Sequence, residues 1–310
     1  MTWKKMGLIF KPENNYDWMA THAYVPVPDK ISENVLRIYF ATRSKQIKSV
    51  TTFIEVDADN PSNVLYVHDR PVLGLGKLGT HDDGGAVPFC LTHHRNKKYL
   101  YYGGWNASVT VPYRNSIGLA VSEDNGLTFQ RVFDGALVDR NALEPYFTGA
   151  CEVLQENGKW RMWYGSATGW VVVNGKPEPC YQIKYGESDD GINWTRENRI
   201  CIEYKFEGEA IARPSIIRED GLYKMWYCSR GSVNYRTDKE QSYRIGYAES
   251  KDGLSWQRKD DEVGIERSEE GWDSVMMCYP YVYQHKGEKY MFYNGNGFGE
   301  SGLGYAVWSA

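Results

Sequence analysis

Three stretches of the chain repeat one another: Ile117-Gly-Leu-Ala-Val-Ser-Glu-Asp-Asn-Gly-Leu-Thr-Phe129, Ile183-Lys-Tyr-Gly-Glu-Ser-Asp-Asp-Gly-Ile-Asn-Trp194 and Ile245-Gly-Tyr-Ala-Glu-Ser-Lys-Asp-Gly-Leu-Ser-Trp256. Each reads as a strand, a tight Asp/Asn-Gly turn and an aromatic residue that opens the next strand, which is a strong short-range hairpin signal. Gly126, Gly191 and Gly253 fall 65 and 62 residues apart, a spacing suited to one large four-stranded unit per repeat.

A second element recurs before each turn, as Tyr99-Leu-Tyr-Tyr-Gly103, Arg161-Met-Trp-Tyr-Gly165, Lys224-Met-Trp-Tyr-Cys228 and Tyr290-Met-Phe-Tyr-Asn294. Its large apolar residues mark strands packed between neighbouring units. A third element precedes that one and occurs five times: His22-Ala-Tyr-Val-Pro26, Asp83-Gly-Gly-Ala-Val-Pro88, Thr148-Gly-Ala-Cys-Glu152, Glu209-Ala-Ile-Ala-Arg-Pro214 and Met276-Met-Cys-Tyr-Pro280. These are the expected innermost strands, and five of them imply five blades. The stretch Ser301–Ala310 matches the third strand of a unit without its turn and fourth strand, and Trp3–Phe10 fits the missing piece. The expected fold is therefore all-β: a five-bladed β-propeller, residues 1–310 as one domain, closed by an N-terminal strand that completes the last blade.

Composition narrows the partners. A net charge of −4 with both signs interspersed gives no footprint for nucleic acid and no polybasic tract for a membrane surface. The short apolar start and the absence of long apolar runs point to a cytoplasmic protein. Six dispersed cysteines form no CxxC pair, so free and mostly buried thiols are expected. His81-Asp82-Asp83 and His93-His94 lack metal-site spacing, and the Gly-rich passages lack the strand-to-helix context of phosphate loops, so neither a metal nor a cofactor is expected. Eleven Trp and 24 Tyr against 10 Phe suit short-strand cores and also faces that stack on sugar rings.

Polar residues at the entrances of the innermost strands converge on one small volume at the axis. Aligning the repeats on Met162, Met225 and Met291 superposes Cys151, Pro214 and Pro280, and seven residues earlier stand Glu144, Glu207 and Asp273. Glu209 and Asp83 each lie five residues before a proline, and the pattern has both project toward the axis. Paired carboxylates around a cavity are what glycoside cleavage requires. His22 occupies the matching entrance of the first unit. Arg213 and Arg43 offer guanidinium forks for a carboxylate or phosphate, and Trp105 and Trp170 offer stacking faces.

These elements, with the Asp-Gly-x-x-Trp turns, resemble the five-bladed propeller clan of arabinanases, xylosidases, invertases, levansucrases and mannoside phosphorylases. Within it the chain is similar to a branch associated with bacterial capsule or O-antigen biosynthesis. The stretch Ser122–Phe129 also resembles the Asp-box of sialidases, itself a turn device remote from chemistry. The clan resemblance covers nearly the whole chain and implies a carbohydrate ligand, a blade-one Asp as base or nucleophile, a blade-two Asp as modulator and a later Glu as acid. Asp83 matches the blade-two position and Glu209 the acid, but His22 stands where the clan has its blade-one Asp. The expectation is a glycosidase-like carbohydrate-active enzyme with Glu209 as general acid and Asp83, helped by His22 or Asp273, as base or stabiliser. The alternatives are glycosyl transfer or phosphorolysis, with Arg213 and Arg43 holding phosphate of an activated sugar, or a non-catalytic sugar-binding propeller.

Overall fold

Runs of β-branched and aromatic residues broken every few residues by Gly, Asn and Asp favour short antiparallel strands over helices, and the computed structural model, which describes residues 2–309, is built from them. Thr2–Phe10 (β1) comes first. Thr21–Lys30 (β2), Val35–Arg43 (β3), Ser49–Asp57 (β4) and Val64–Val67 (β5) form one antiparallel meander; Gly85–His94 (β6), Lys97–Ala107 (β7), Tyr113–Ser122 (β8) and Gln130–Arg131 (β9) form the next. A single parallel bridge, Ser49 to Gly85, joins these two into an eight-stranded sheet. Two separate sheets follow: Thr148–Glu156 (β10), Lys159–Val173 (β11), Lys176–Ser188 (β12) and Trp194–Ile200 (β13), then Ala210–Glu219 (β14), Leu222–Arg230 (β15), Arg244–Ser250 (β16) and Gln257–Arg258 (β17). Cys278–His285 (β18), Glu288–Asn294 (β19) and Leu303–Ser309 (β20) make the last sheet, whose fourth strand is β1, paired from Thr2 against Ser309 to Phe10 against Leu303.

The hydrophobic cores lie between consecutive meanders. Leu100 packs with Tyr39 and Phe53, Met162 with Tyr101 and Leu119, Met225 with Trp163 and Tyr185, and Met291 with Trp226 and Tyr247. A further core sets Phe292 and Tyr305 of the last sheet against Ile38 and Phe40 of the first. The Asp-Gly turns join neighbours by hydrogen bonds: Tyr39 donates to the Gly126 carbonyl (3.0 Å), Tyr101 to that of Gly191 (2.9 Å) and the Trp163 indole to that of Gly253 (2.7 Å). All three glycines have positive φ, which the turn demands. All six cysteines are buried and free of disulfides, and no helix among the described residues is long and apolar enough to cross a membrane.

Four buried carboxylates repeat with the sheets. Asp82 pairs with Arg131 of β9 (2.6 Å), Glu144 with Arg196 of β13 (2.8 Å), Glu209 with Arg258 of β17 (2.5 Å) and Asp273 with Lys5 of β1 (2.8 Å). A hydroxyl of the second strand donates to each, from Tyr102, Tyr164, Ser229 and Tyr293. The pattern differs from the sequence alignment at two places. Glu207 is exposed, because Asp260 already accepts from Tyr227 (2.5 Å) and from Arg258 Nε (2.7 Å) beside the repeat tyrosine. Asp82, not Asp83, is turned inward: both lie in the turn that leads into β6, where Asp82 is buried and Asp83 half-buried, accepting from the Gly79 amide (2.9 Å).

Stranding a buried carboxylate without its cation is strongly destabilising. Lys5→Met is expected to lower the unfolding free energy by about 3 kcal/mol in urea titrations, and adding Asp273→Asn to recover most of that loss. A single variant as stable as the parent would remove the structural role of the pair.

Candidate functional site

The first strands of the meanders touch in a closed order, β2 to β6, β6 to β10, β10 to β14, β14 to β18 and β18 back to β2. Each breaks its ladder, β2 twice: between Thr21 and Tyr24 and again between Tyr24 and Val27, then between Pro88 and Cys90, Gly149 and Cys151, Ala212 and Ser215, and Cys278 and Tyr281. Pro26, Pro214 and Pro280 lie inside three of these breaks, where a residue without an N–H cannot continue the ladder. At the breaks Val25, Ala150, Arg213 and Tyr279 adopt φ of 54°, 34°, 58° and 56°, a left-handed conformation that costs an L-residue roughly 1–2 kcal/mol. Bulges and strained residues of this kind re-aim side chains and concentrate at functional sites. Here they turn Val25, Phe89, Ala150, Arg213 and Tyr279 onto the wall of one cavity of about 430 Å³, within the range of small-molecule sites.

That wall is aromatic and cationic. Trp105, Tyr113, Phe147, Tyr181, Tyr243 and Phe298 contribute rings, and Arg43, Arg213, Arg230 and Arg236 contribute guanidinium groups; among the described residues no Asp or Glu lines it. Trp105 lies flat on β6 because Gly85 has no side chain: a Cβ there would stand 2.1 Å from the indole nitrogen. Arg213, fully buried on the cavity floor, donates to the carbonyls of Pro214 (3.1 Å) and, on the facing strand β2, Pro26 (3.3 Å). Arg230 is 3% exposed and donates to the carbonyls of Gly231 (2.8 Å) and Pro179 (3.0 Å), while its Nε has no partner. Its guanidinium lies 3.7 Å over the Tyr235 ring, with the hydrogen-bonded pair Tyr181 and Tyr243 also beside it. Arg236 is paired with Glu178, which also accepts from Tyr235 (2.9 Å).

The sequence-derived candidates divide between this cavity and the supporting shell. Arg213, Arg43 and Trp105 line the cavity. His22 sits behind Arg43, Nε2 to Nη1 3.1 Å and Nδ1 to Thr21 Oγ1 2.8 Å; burial and then the Arg43 charge lower its pKa to about 4, so it is neutral at pH 7 and accepts from Arg43. Trp170 packs on Tyr113 and Phe147, behind the wall. Glu209, Glu144 and Asp273 are held in the carboxylate–cation pairs described above, Asp83 caps its own loop and Glu207 is exposed. Among the described residues no three His, Cys, Asp or Glu side chains gather to hold a metal ion.

Sequence reading missed Arg230, although a signal existed: it stands five residues after Met225, where the other repeats carry Trp105, Ala167 and Asn296. It also missed Glu152, a buried carboxyl 3.7 Å from Arg213 with one oxygen lacking a hydrogen-bond partner. Burial pushes its pKa up to about 8, with the nearby Arg213 opposing.

No protein-family model matches the chain. It is 37% identical over 308 residues, covering 99% of both chains, to "Uncharacterized protein MT1551" of Mycobacterium tuberculosis. Among solved structures it is similar to one described as "Glycoside hydrolase" (TM-score 0.76, 17% identity, 98% of this chain and 90% of that one). It is likewise similar to a thermostable family-43 glycoside hydrolase (TM-score 0.67, 17% identity, 94% and 90%). At these identities the likeness is one of fold: a nearly all-β, propeller-like, glycosidase-type architecture.

Glu152 keeps its proton in the folded state up to about pH 8 but loses it near its ordinary value when unfolded. Its contribution to stability is thus present in full below about pH 4.5 and declines as pH rises toward 8, by at most about 1.4 kcal/mol per unit. Urea unfolding from pH 5 to 9 is expected to show this decline in the parent and a flatter profile in the neutral isostere Glu152→Gln. Parallel profiles would refute it.

Proposed function

The chain belongs to the same family as the M. tuberculosis protein MT1551, and from its axial cavity we propose that it acts on an anionic carbohydrate, a glycosyl phosphate in the first instance. The observation that carries this reading is Arg230. A buried guanidinium needs a counter-charge or a full set of acceptors; Arg230 has carbonyls and ring faces but no carboxylate among the described residues, and its Nε is unpartnered. It lines the cavity with Arg43, Arg213 and Arg236, so the missing negative charge belongs to the ligand. Guanidinium forks match phosphate and carboxylate oxygens, and the surrounding rings suit a sugar face.

Carboxylate-assisted hydrolysis fits these residues less well. Glu209, Asp273 and Asp83, cast from sequence as acid, base and stabiliser, each have partners and none lines the axial cavity, Glu209 facing instead a separate cavity that Arg230 also borders, and His22 is a neutral acceptor for Arg43. A phosphate leaving group departs as an anion, needs no proton from a carboxylic acid, and is stabilised by fixed cations as its charge develops. We therefore read the chemistry as glycosyl transfer from a sugar phosphate to an acceptor hydroxyl: the C1–O bond to phosphate breaks as the new glycosidic bond forms, and the departing phosphate takes up the hydroxyl proton, which is also phosphorolysis run in the synthetic direction. On this reading residues 1–310 form a single five-bladed propeller, its five innermost strands β2, β6, β10, β14 and β18. Its resemblance to the surface-polysaccharide branch makes it a cytoplasmic protein handling polysaccharide building blocks.

Calorimetric titration with glucose 1-phosphate, galacturonate and glucose tests this. The anionic sugars are expected to bind and neutral glucose not. Arg230→Met is expected to weaken the anionic sugar about 30-fold or more with no loss of melting temperature, because the variant also removes an uncompensated buried charge. Equal affinity for glucose, or unchanged affinity in the variant, would overturn the reading.

A further inference from the structure

We infer that the pocket on the far side of β8 is a second subsite, for a second anionic group of the ligand that occupies the axial cavity; this rests on the reading just proposed. Strand β8 is the partition. Its alternation sends Tyr113 to the cavity and Arg114 and Ser116 to the other side, and Asn115 belongs to both walls. The second pocket, of about 190 Å³, has room for one phosphoryl or carboxylate-bearing group and is lined by Arg114, Arg140, His81, Asn106, Asn115 and Ser116.

Its polar groups are unspent. The Arg114 side chain makes no hydrogen bond or ion pair with another described residue, whereas most arginine side chains are engaged. The guanidinium of Arg140 has only the adjacent Asp139, at 3.8 Å, and that carboxylate already accepts from the Arg140 backbone amide (2.7 Å). Two guanidiniums against one carboxylate leave a net positive pocket. His81 is fixed by Ser116 (Nδ1 to Oγ 2.7 Å), and the Asn106 amide reaches only the Thr80 carbonyl, at 3.4 Å. A donor-rich pocket of one group's size, one residue's thickness from the axial cavity, suits an acceptor-rich, doubly charged ligand. Its second charge has two sources of the same chemistry: the other phosphate of a sugar diphosphate, or the carboxylate of a neighbouring uronate.

The test uses the full chain at low ionic strength, because Arg114 is exposed and its pairing is screened by salt. Glucose 1-phosphate and galacturonate are the single-charge probes; UDP-glucose and digalacturonate carry the second charge. Parent protein is expected to bind at least one doubly charged probe about 10-fold more tightly than its single-charge counterpart, and Arg114→Gln/Arg140→Gln to abolish that advantage without altering single-charge binding. An advantage confined to UDP-glucose identifies a diphosphate, and one confined to digalacturonate an acidic oligosaccharide. Single-charge binding with no such advantage, or an advantage that survives the double variant, overturns the subsite and leaves the axial reading standing. No binding by any probe overturns both.

Discussion

A carboxylate taken out of water must meet a cation and hydrogen-bond donors, or the fold around it fails, and this protein imposes that condition four times at one place in its repeat. Asp82, Glu144, Glu209 and Asp273 are each almost inaccessible, each reached by a cation from the outermost strand of the same sheet and by a hydroxyl from its second strand. The acid thus ties the segment entering the first strand to the opposite edge of its own sheet. In the last sheet the cation is Lys5 of β1, so the same pairing closes the ring. The junction between the fourth meander and the last is held differently from the three before it. Tyr39, Tyr101 and Trp163 donate to turn carbonyls of the next meander, but Trp226, in the corresponding place, has an unpartnered indole nitrogen and packs edge-on against Trp3. Apolar contact, the β1–β20 ladder and one ion pair replace the turn lock there.

Rigid surroundings make the strained inner strands possible. A left-handed valine or tyrosine persists only where its neighbours over-determine it: Val25 and Ala150 pack into one core and Tyr279 into two, and Arg213 is fully buried and tied to two carbonyls. The strain has a consequence for the site: at the break, side chains that regular alternation would share between two faces are delivered to the axial wall. Arg213 shows the result, reaching across from β14 to a carbonyl of β2.

The strand order and the closure by β1 were legible in the sequence because both rest on local chemistry: Asp-Gly turns, aromatic alternation and the recurring prolines. The role of the acids was less legible. Spacing alone superposes Glu207 on Glu144 and Asp273, yet which carboxylate is drawn inward depends on where Arg258 and Asp260 arrive from the far edge of the sheet. Partners about 50 residues apart leave no mark on the local pattern. The same holds for Arg230, whose significance lies in having no carboxylate partner, a property visible only once every neighbour is placed.

Placing guanidiniums inward also shapes how the protein would meet a ligand. The chain carries 40 acidic and 36 basic residues, so its distant field is mildly negative, while the axial wall presents four guanidiniums and no carboxylate among the described residues. Fields from fixed charges are screened within roughly 8–10 Å in salt but persist in a recessed, low-dielectric cavity. On the proposed reading, discrimination for anions operates at contact, where neutral sugars would find ring faces but nothing to offset the desolvated guanidiniums, and only a charged substituent would complete their coordination. On that reading the propeller-like, glycosidase-type fold uses its buried acids to tie each sheet together and turns its arginines to the axial cavity for the ligand.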